Sequence, residues 1–314
     1  MQICMKVVFF GTPRFAADVL AYLLAHGIDV AAVVTKPDRP YGRSGTPSPS
    51  AVKRLCLQRY PRVLILQPDK ASTCSFAKKL HPLEVDLFVV VAYGEIISQE
   101  LLDLPKCGCI NLHASLLPKY RGAAPIQAAL LDGAKYTGVT IIEMALKMDA
   151  GDILLQERVP IERELNFQEL EARLCKIGCR LLLKAISQYE SLIRMPQNHK
   201  EATYAKKIDS RMAKLDWNGS AEQIHNRVRA FSPCPGAWCN VELMGQQKRL
   251  KIYRSKACEG SGVPGKTLSF EACGWRVACR EGALLILEVQ LEGKKRLSFE
   301  DFYKGVSTPP EIES

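Results

Sequence analysis

No stretch of this sequence approaches the roughly 18 consecutive apolar residues that a membrane-spanning helix needs. The opening MQICMKVVFFGTPRF has an apolar run of only a few residues and no small-residue cleavage site, so a secretory signal is missing too. The expected location is the cytoplasm, with no membrane partner. The paired C-x-x-C of a zinc ribbon is also absent, although the sequence holds 12 cysteines. Cys107 and Cys109 form a C-x-C, Cys175 and Cys179 stand one helical turn apart, and Cys234 and Cys239 flank a Pro-Gly turn. In a cytosolic chain such thiols are expected as small, partly buried hydrophobes, with no metal and no disulfide framework. The loop after the first apolar run reads G-T-P-R-F, so the G-x-G-x-x-G of a dinucleotide fold is missing. No Ser or Cys stands in a nucleophile elbow, which disfavours a covalent enzyme intermediate.

What remains is an ordinary globular composition, 47% hydrophobic and 24% charged, in 314 residues, enough for two domains. The formal charge of +10 points to a polyanionic partner. Lys and Arg exceed Asp and Glu by 5 in residues 1–199 (24 against 19) and by 5 again in the shorter 200–314 (19 against 14). The excess is therefore denser toward the C-terminus.

Along the chain, the apolar runs KVVFF, DVAAVVT, RVLILQP and VDLFVVVAYG alternate with the amphipathic stretches RFAADVLAYLLAHG, AVKRLCLQRY and KASTCSFAKKLHPL (70–83). Apolar strands separated by helices predict an α/β fold: a Rossmann-like, mostly parallel sheet with helices on both faces. A long helical pattern follows from about residue 164. Residues 195–217 are polar and weakly patterned, and we expect a linker over 195–208. Beyond it, short alternating runs such as CNVELM, RLKIYRSKA and ALLILEVQLEG predict a smaller β-barrel or sandwich over 209–314.

The run CINLHASLLPKYRGAAPIQ (109–127) begins like a buried strand yet carries an amide and an imidazole two residues apart, Asn111 and His113. Residues so spaced on a strand share one face, and the ends of strands in an open α/β sheet are where ligands bind. Both groups would also suit a core in which they satisfy buried backbone. A third polar group, a carboxylate of the loop MDAGD (Asp149 or Asp152) after another apolar strand, could partner His113. An amide that stabilises an oxyanion, an imidazole that moves protons and a carboxylate that orients or accepts them together suit acyl transfer.

The stretch from VVVAYGEII through NLHASLLPKYRGAAPIQ to MDAGDIL resembles the folate-dependent formyltransferases. FFGTPRFAADVL, TKPDRPYGR, YAKKIDSRMAKLDW, RVRAFSPCPGAW and EGKKRLSFEDFYKG extend the resemblance over nearly the whole chain, and the C-terminal segments are similar to those of members that act on methionyl-tRNA. The resemblance implies that Asn111, His113 and Asp149 are catalytic. It implies that Ser115, Leu116, Leu117 and Pro118 border the donor, 10-formyltetrahydrofolate, and that the loop holding Tyr93, Gly94, Ile96 and Ile97 walls its pterin slot. Pro118 and Gly122 then read as shape determinants. It further implies a catalytic domain over 1–194, an OB-like tRNA-binding domain over 209–314, and initiator methionyl-tRNA as acceptor for a monomeric enzyme.

For the tRNA, the resemblance points to the loop TKPDRPYGRSGTPSPSAVKR (35–54). Arg43 matches the arginine of the family's P-x-G-R, but SGTPSPS replaces the usual Gly and Lys pair, so Arg39, Arg43, Lys53 and Arg54 are expected to carry more of the contact. In the second domain Lys206, Lys207, Lys248, Arg249, Lys251 and Arg254 are the expected phosphate contacts. Three rival readings share part of the pattern. A formyltransferase for a small amine keeps the trio without needing a basic second domain. A non-catalytic RNA-binding protein has no need of the trio, and an NAD-dependent oxidoreductase lacks its fingerprint here.

Overall fold

The computed structural model describes residues 5–40, 45–306 and 308–313. The chain divides into two compact units: residues up to 125 with 137–159 and 171–205, and residues 126–136 with 160–170 and 206–314.

The first unit is built on seven strands, β1 (Lys6–Gly11), β2 (Asp29–Val34), β3 (Leu64–Leu66), β4 (Leu87–Val91), β5 (Cys109–His113), β6 (Tyr136–Glu143) and β7 (Ile153–Pro160), in the order β7-β6-β5-β4-β1-β2-β3. The first five pair in parallel, and β6 joins β5 antiparallel. Parallel strands buried on both faces need apolar side chains at every position, and β4, LFVVV, is buried throughout. Val8, Phe10, Phe88 and Val90 pack to one side with the helix Cys74–Leu80. Each fully buried Phe there contributes about 1.5–3 kcal/mol. Val7, Phe9, Val89 and Leu112 have the opposite parity and are equally buried. On that side a Cβ on Gly178 would stand 2.8 Å from Leu112, so glycine lets the helix Phe167–Ser187 approach the sheet closely.

The helix expected over 70–83 is confined to Cys74–Leu80 and ends in a 3-10 turn, His81–Leu83, because Pro82 has no N–H to continue it. Of the expected linker 195–208, residues 195–205 are tied into the first unit. Tyr204–Ala205 pairs in parallel with Arg121–Gly122, Met195 exchanges backbone bonds with Ile153, and Gln197 is buried. Its polarity serves hydrogen bonding as well as solvation.

The second unit holds a seven-stranded antiparallel sheet. Its central strand Gln246–Cys258 pairs with Ala237–Leu243 and Ala283–Leu291. Register shifts around Arg254 bend it, as bulges do, and the curled sheet encloses Trp275, Ile252, Val289 and Phe299 as the OB-like expectation requires. Segments 126–136 and 160–170 group with this unit. His225 reaches the Arg163 carbonyl at 3.1 Å, and Arg254 pairs with Glu169 at 2.5 Å.

Candidate active site

Strand β5 reads CINLH. Ile110 and Leu112 face one side, leaving Asn111 and His113 on the other, where the strand runs out beside Val90 of β4 and Ile142 and Thr140 of β6. The chain crosses from one half of the sheet to the other between β1 and β4, the switch point at which open α/β sheets take ligands. There Thr12 Oγ1 donates to the Tyr93 carbonyl at 3.1 Å, joining the loops that leave these two strands.

Asp149 comes from the loop between β6 and β7. The chain reverses so tightly that a Cβ on Gly151 would lie 1.7 Å from the Glu143 carbonyl, and Asp149 itself takes φ 51°, a left-handed conformation that Asp tolerates better than most residues. The reversal delivers its carboxylate to β5. Oδ1 stands 3.5 Å from Asn111 Nδ2, and Oδ2 stands 3.7 Å from His113 Nδ1. The Gly122 N–H donates to Oδ2 at 2.7 Å. Asn111 and His113 of β5 and Asp149 of the β6–β7 loop are thus brought together.

The other imidazole nitrogen of His113, Nε2, lies 2.9 Å from the Tyr120 carbonyl. A carbonyl only accepts, so Nε2 carries the hydrogen. In the neutral ring Nδ1 is then the basic atom, and it faces the carboxylate that would stabilise it once protonated. The separations of 3.5 and 3.7 Å leave the amide and ring free to engage a reacting group, as catalytic hydrogen bonds in ligand-free sites commonly do.

Ser115 and Leu117 are buried and frame the site through their backbones. Ser115 Oγ donates to the Lys119 carbonyl at 2.6 Å. Thr140 Oγ1 donates to the Ser115 carbonyl and accepts from Leu117 N and Gln156 Nε2, which exhausts the hydroxyl. Leu116 and Pro118 are half-buried. In the neighbouring loop, Tyr93 and Ile97 turn into the core, while Gly94 and Ile96 face outward. Ile96 is 79% exposed, and Leu146 and Met148, just before Asp149, are 62% and 59% exposed. Apolar side chains left open beside a polar trio suit a flat heterocycle. Glu95 anchors this loop, accepting from the Ala71 N–H at 3.0 Å and pairing with Lys36 at 2.9 Å. Burial pushes its carboxyl up, but these two partners outweigh it and hold the group below its ordinary range.

The formyl transferase family model matches residues 5–186, and the model of the formyl transferase C-terminal domain matches 207–307. The chain belongs to the formyl transferase family. It is 50% identical over 306 residues to a methionyl-tRNA formyltransferase of Protochlamydia amoebophila, covering 96% of each chain, and 40% identical over 309 residues to one of Chlamydia abortus, again covering 96% of each. Among solved structures, an N-formyltransferase from Helicobacter canadensis shares the fold at 18% identity and TM-score 0.66, over 93% of this chain and 100% of that one. HypX of Aquifex aeolicus, solved with tetrahydrofolic acid, shares it at 18% identity and TM-score 0.64, over 96% of this chain and 48% of that one.

The basic residues of this formyl transferase are unequally available. Arg43 lies outside the described residues. Arg39 is exposed and pairs through its backbone with Ser48. Lys53, expected to share the tRNA contact, is held instead by Asp38 at 2.8 Å and Gln67 at 2.7 Å, so its charge is already neutralised. Arg54 is exposed and donates to the Pro49 carbonyl. Arg254 is likewise engaged, with Glu169 and Glu288. Lys206 and Lys207 are exposed. Arg249 lies 4.1 Å over the Trp238 ring and Lys214 5.9 Å from the same ring. Lys251, two residues on and so on the same strand face as Arg249, donates to the Pro235 carbonyl at 2.7 Å. Half-buried Lys248 borders, with Arg249, Asn240, Gln247 and Glu292, a depression of about 150 Å³.

Two contributors to the site escaped the sequence reading. Arg121 is fully buried behind the trio, and Gln197 bonds both to it and to the Asp149 loop. Arg121 stands inside the quoted R-G-A-A-P run but looks there like a surface charge. Gln197 lies in a polar stretch without periodicity, and nothing local marks it.

Proposed function

We propose that this protein transfers the formyl group of 10-formyltetrahydrofolate to the α-amino group of methionyl initiator tRNA, acting as a monomer in the cytoplasm. The observation that carries this reading is the convergence of Asn111, His113 and Asp149 at the end of β5. The methionyl-tRNA formyltransferases similar over 96% of the chain supply the acceptor.

The donor supplies an activated one-carbon acyl group. Ile96, Leu146, Met148 and the backbone of residues 93–97 are the surface that would hold it. Overall, a C–N bond forms to the α-amine, the bond to the carrier nitrogen breaks, and one proton passes from the amine to that nitrogen. The α-amine must be neutral to attack, and its ordinary pKa of about 7.7–8.0 leaves much of it charged at pH 7. His113 Nδ1 is the base that takes the surplus proton, and Asp149 Oδ2 stabilises the resulting imidazolium. The Asn111 amide N–H donates to the formyl oxygen as negative charge develops there. The initiator tRNA is held through the Arg39–Arg43 segment and by the exposed cations Lys206, Lys207 and Arg249, with half-buried Lys248 and Lys251 beside them.

The test is incubation with 10-formyltetrahydrofolate and either methionyl-tRNA or small amines, reading which acceptor gains the formyl group. Formylation of methionyl-tRNA is expected. Transfer to a small amine alone supports the narrower formyltransferase reading, and no transfer at all rejects an enzymatic role.

A further inference from the structure

Arg121 carries a positive charge into the interior with no exposed surface at all. Among the described residues its guanidinium is held only by neutral groups. Nε and Nη2 both donate to Gln197 Oε1, at 3.2 and 2.6 Å, and Nη2 donates to His199 Nδ1 at 2.9 Å. Nη1 has no partner. A buried cation without a counter-ion is an expensive way to stabilise a fold, and apolar side chains of similar size commonly do better. The placement calls for another explanation.

Gln197 supplies one. Its amide oxygen is taken by the two guanidinium N–H groups, and arginine has no acceptor. The amide therefore cannot flip, and Nε2 must point the other way. There it donates to the carbonyls of Asp149 at 2.9 Å and Gly151 at 2.6 Å. Those two bonds hold the backbone on either side of Ala150 and fix the left-handed Asp149 from which the carboxylate projects. The peptide that bears Arg121 grips the site from the opposite side. The Tyr120 carbonyl takes His113 Nε2, and the Gly122 N–H holds Asp149 Oδ2. Residues 203–205 hold that peptide in turn, through bonds to the N–H groups of Tyr120, Arg121 and Ala123.

We propose that Arg121 and Gln197 are positioning residues for the formyl transfer: the guanidinium orients the Gln197 amide, and the amide sets Asp149 against His113 and Asn111. The proposal rests on the functional reading above, in which the Asp149 carboxylate takes part in the reaction. Neither residue touches substrate. Their effect falls on turnover, because it concerns the geometry of the reacting groups and leaves the binding surfaces intact.

Gln197→Glu separates this role from scaffolding. A carboxylate keeps both bonds from Arg121 and adds the missing counter-charge, but it has no N–H for the Asp149 and Gly151 carbonyls. Steady-state formylation of methionyl-tRNA is measured for the full-length variant beside the wild type, with circular dichroism confirming the fold. The expected result is kcat reduced about ten- to hundredfold, the loss that a displacement near 1 Å brings, with KM for donor and acceptor within about twofold. Arg121→Lys, which keeps the charge but loses the fork, is expected to show the same split with a smaller fall, and it decides the matter if Gln197→Glu does not fold. Turnover within about twofold of wild type in the folded variant overturns the proposal. So does a fall that tracks lost folded protein or a matching rise in KM. Failure of the wild-type protein itself to formylate methionyl-tRNA rejects the functional reading instead, so the two outcomes are distinct.

Discussion

The Gly122 N–H donates to Asp149 Oδ2 at 2.7 Å, the shortest bond that carboxylate makes among the described residues. Gly122 can do this because it takes φ 115° and lies so close to the 203–205 segment that a Cβ would stand 2.5 Å from the Ala205 carbonyl. Side-chain volume and backbone conformation both restrict this position to glycine.

Gly122→Ala should therefore damage stability and catalysis together. The forced left-handed conformation costs about 1–3 kcal/mol, and the clash moves the N–H away from Asp149. A lower melting temperature and a reduced kcat in the same variant are expected. An alanine variant with unaltered kcat would show that this bond does not matter to the reaction.

Asn111→Ala removes the donor assigned to the formyl oxygen. Loss of one such donor typically costs about 10²–10³ in turnover. Folate affinity, measured by equilibrium binding, should change little, because the apolar surface around Ile96 and Met148 is untouched.

Arg249→Ala should weaken use of methionyl-tRNA and lower the salt dependence of its binding by about one unit of slope, the signature of a single phosphate contact. Arg249 is the better test than Lys251, which also bonds the Pro235 carbonyl and so carries a structural role. Donor affinity measured alone should be unchanged.

His225 gives the second unit a pH dependence. Burial pushes its pKa below the usual 6.5, outweighing the Arg163 carbonyl and the nearby Glu164 and Glu222. The folded state thus binds the proton less readily than the unfolded chain. The contribution is fully present above pH 6.5 and is lost as pH falls through the folded value. Thermal unfolding between pH 7.5 and pH 5, about 1 unit above that reference and about 1.5 below it, should show the melting temperature dropping on acidification. His225→Phe should drop less steeply over the same interval.

Strand β5 was legible because residue type and period agreed: apolar Ile110 and Leu112 alternate with Asn111 and His113, and period two forces the polar pair onto one side. The loop MDAGD offers two carboxylates, Asp149 and Asp152, and only the family resemblance singles out Asp149. Gln197 was not legible, since a side chain whose partners are backbone carbonyls leaves no pattern in the residues around it. The charge of Lys53 was read as available because sequence counts charges without their partners, and Asp38 lies 15 residues away. The grouping of 126–136 and 160–170 with the second unit rests on long-range packing that local periodicity does not encode.

In the proposed reaction His113 relieves the attacking amine of its proton. The most direct measurement is the single-turnover rate of formyl transfer to methionyl-tRNA by His113→Ala, with donor and acceptor saturating and donor binding verified separately. A fall of about 10²-fold or more is expected, in the range that a positioned acid–base group supplies. A rate within about twofold of wild type, with the donor bound, would contradict it.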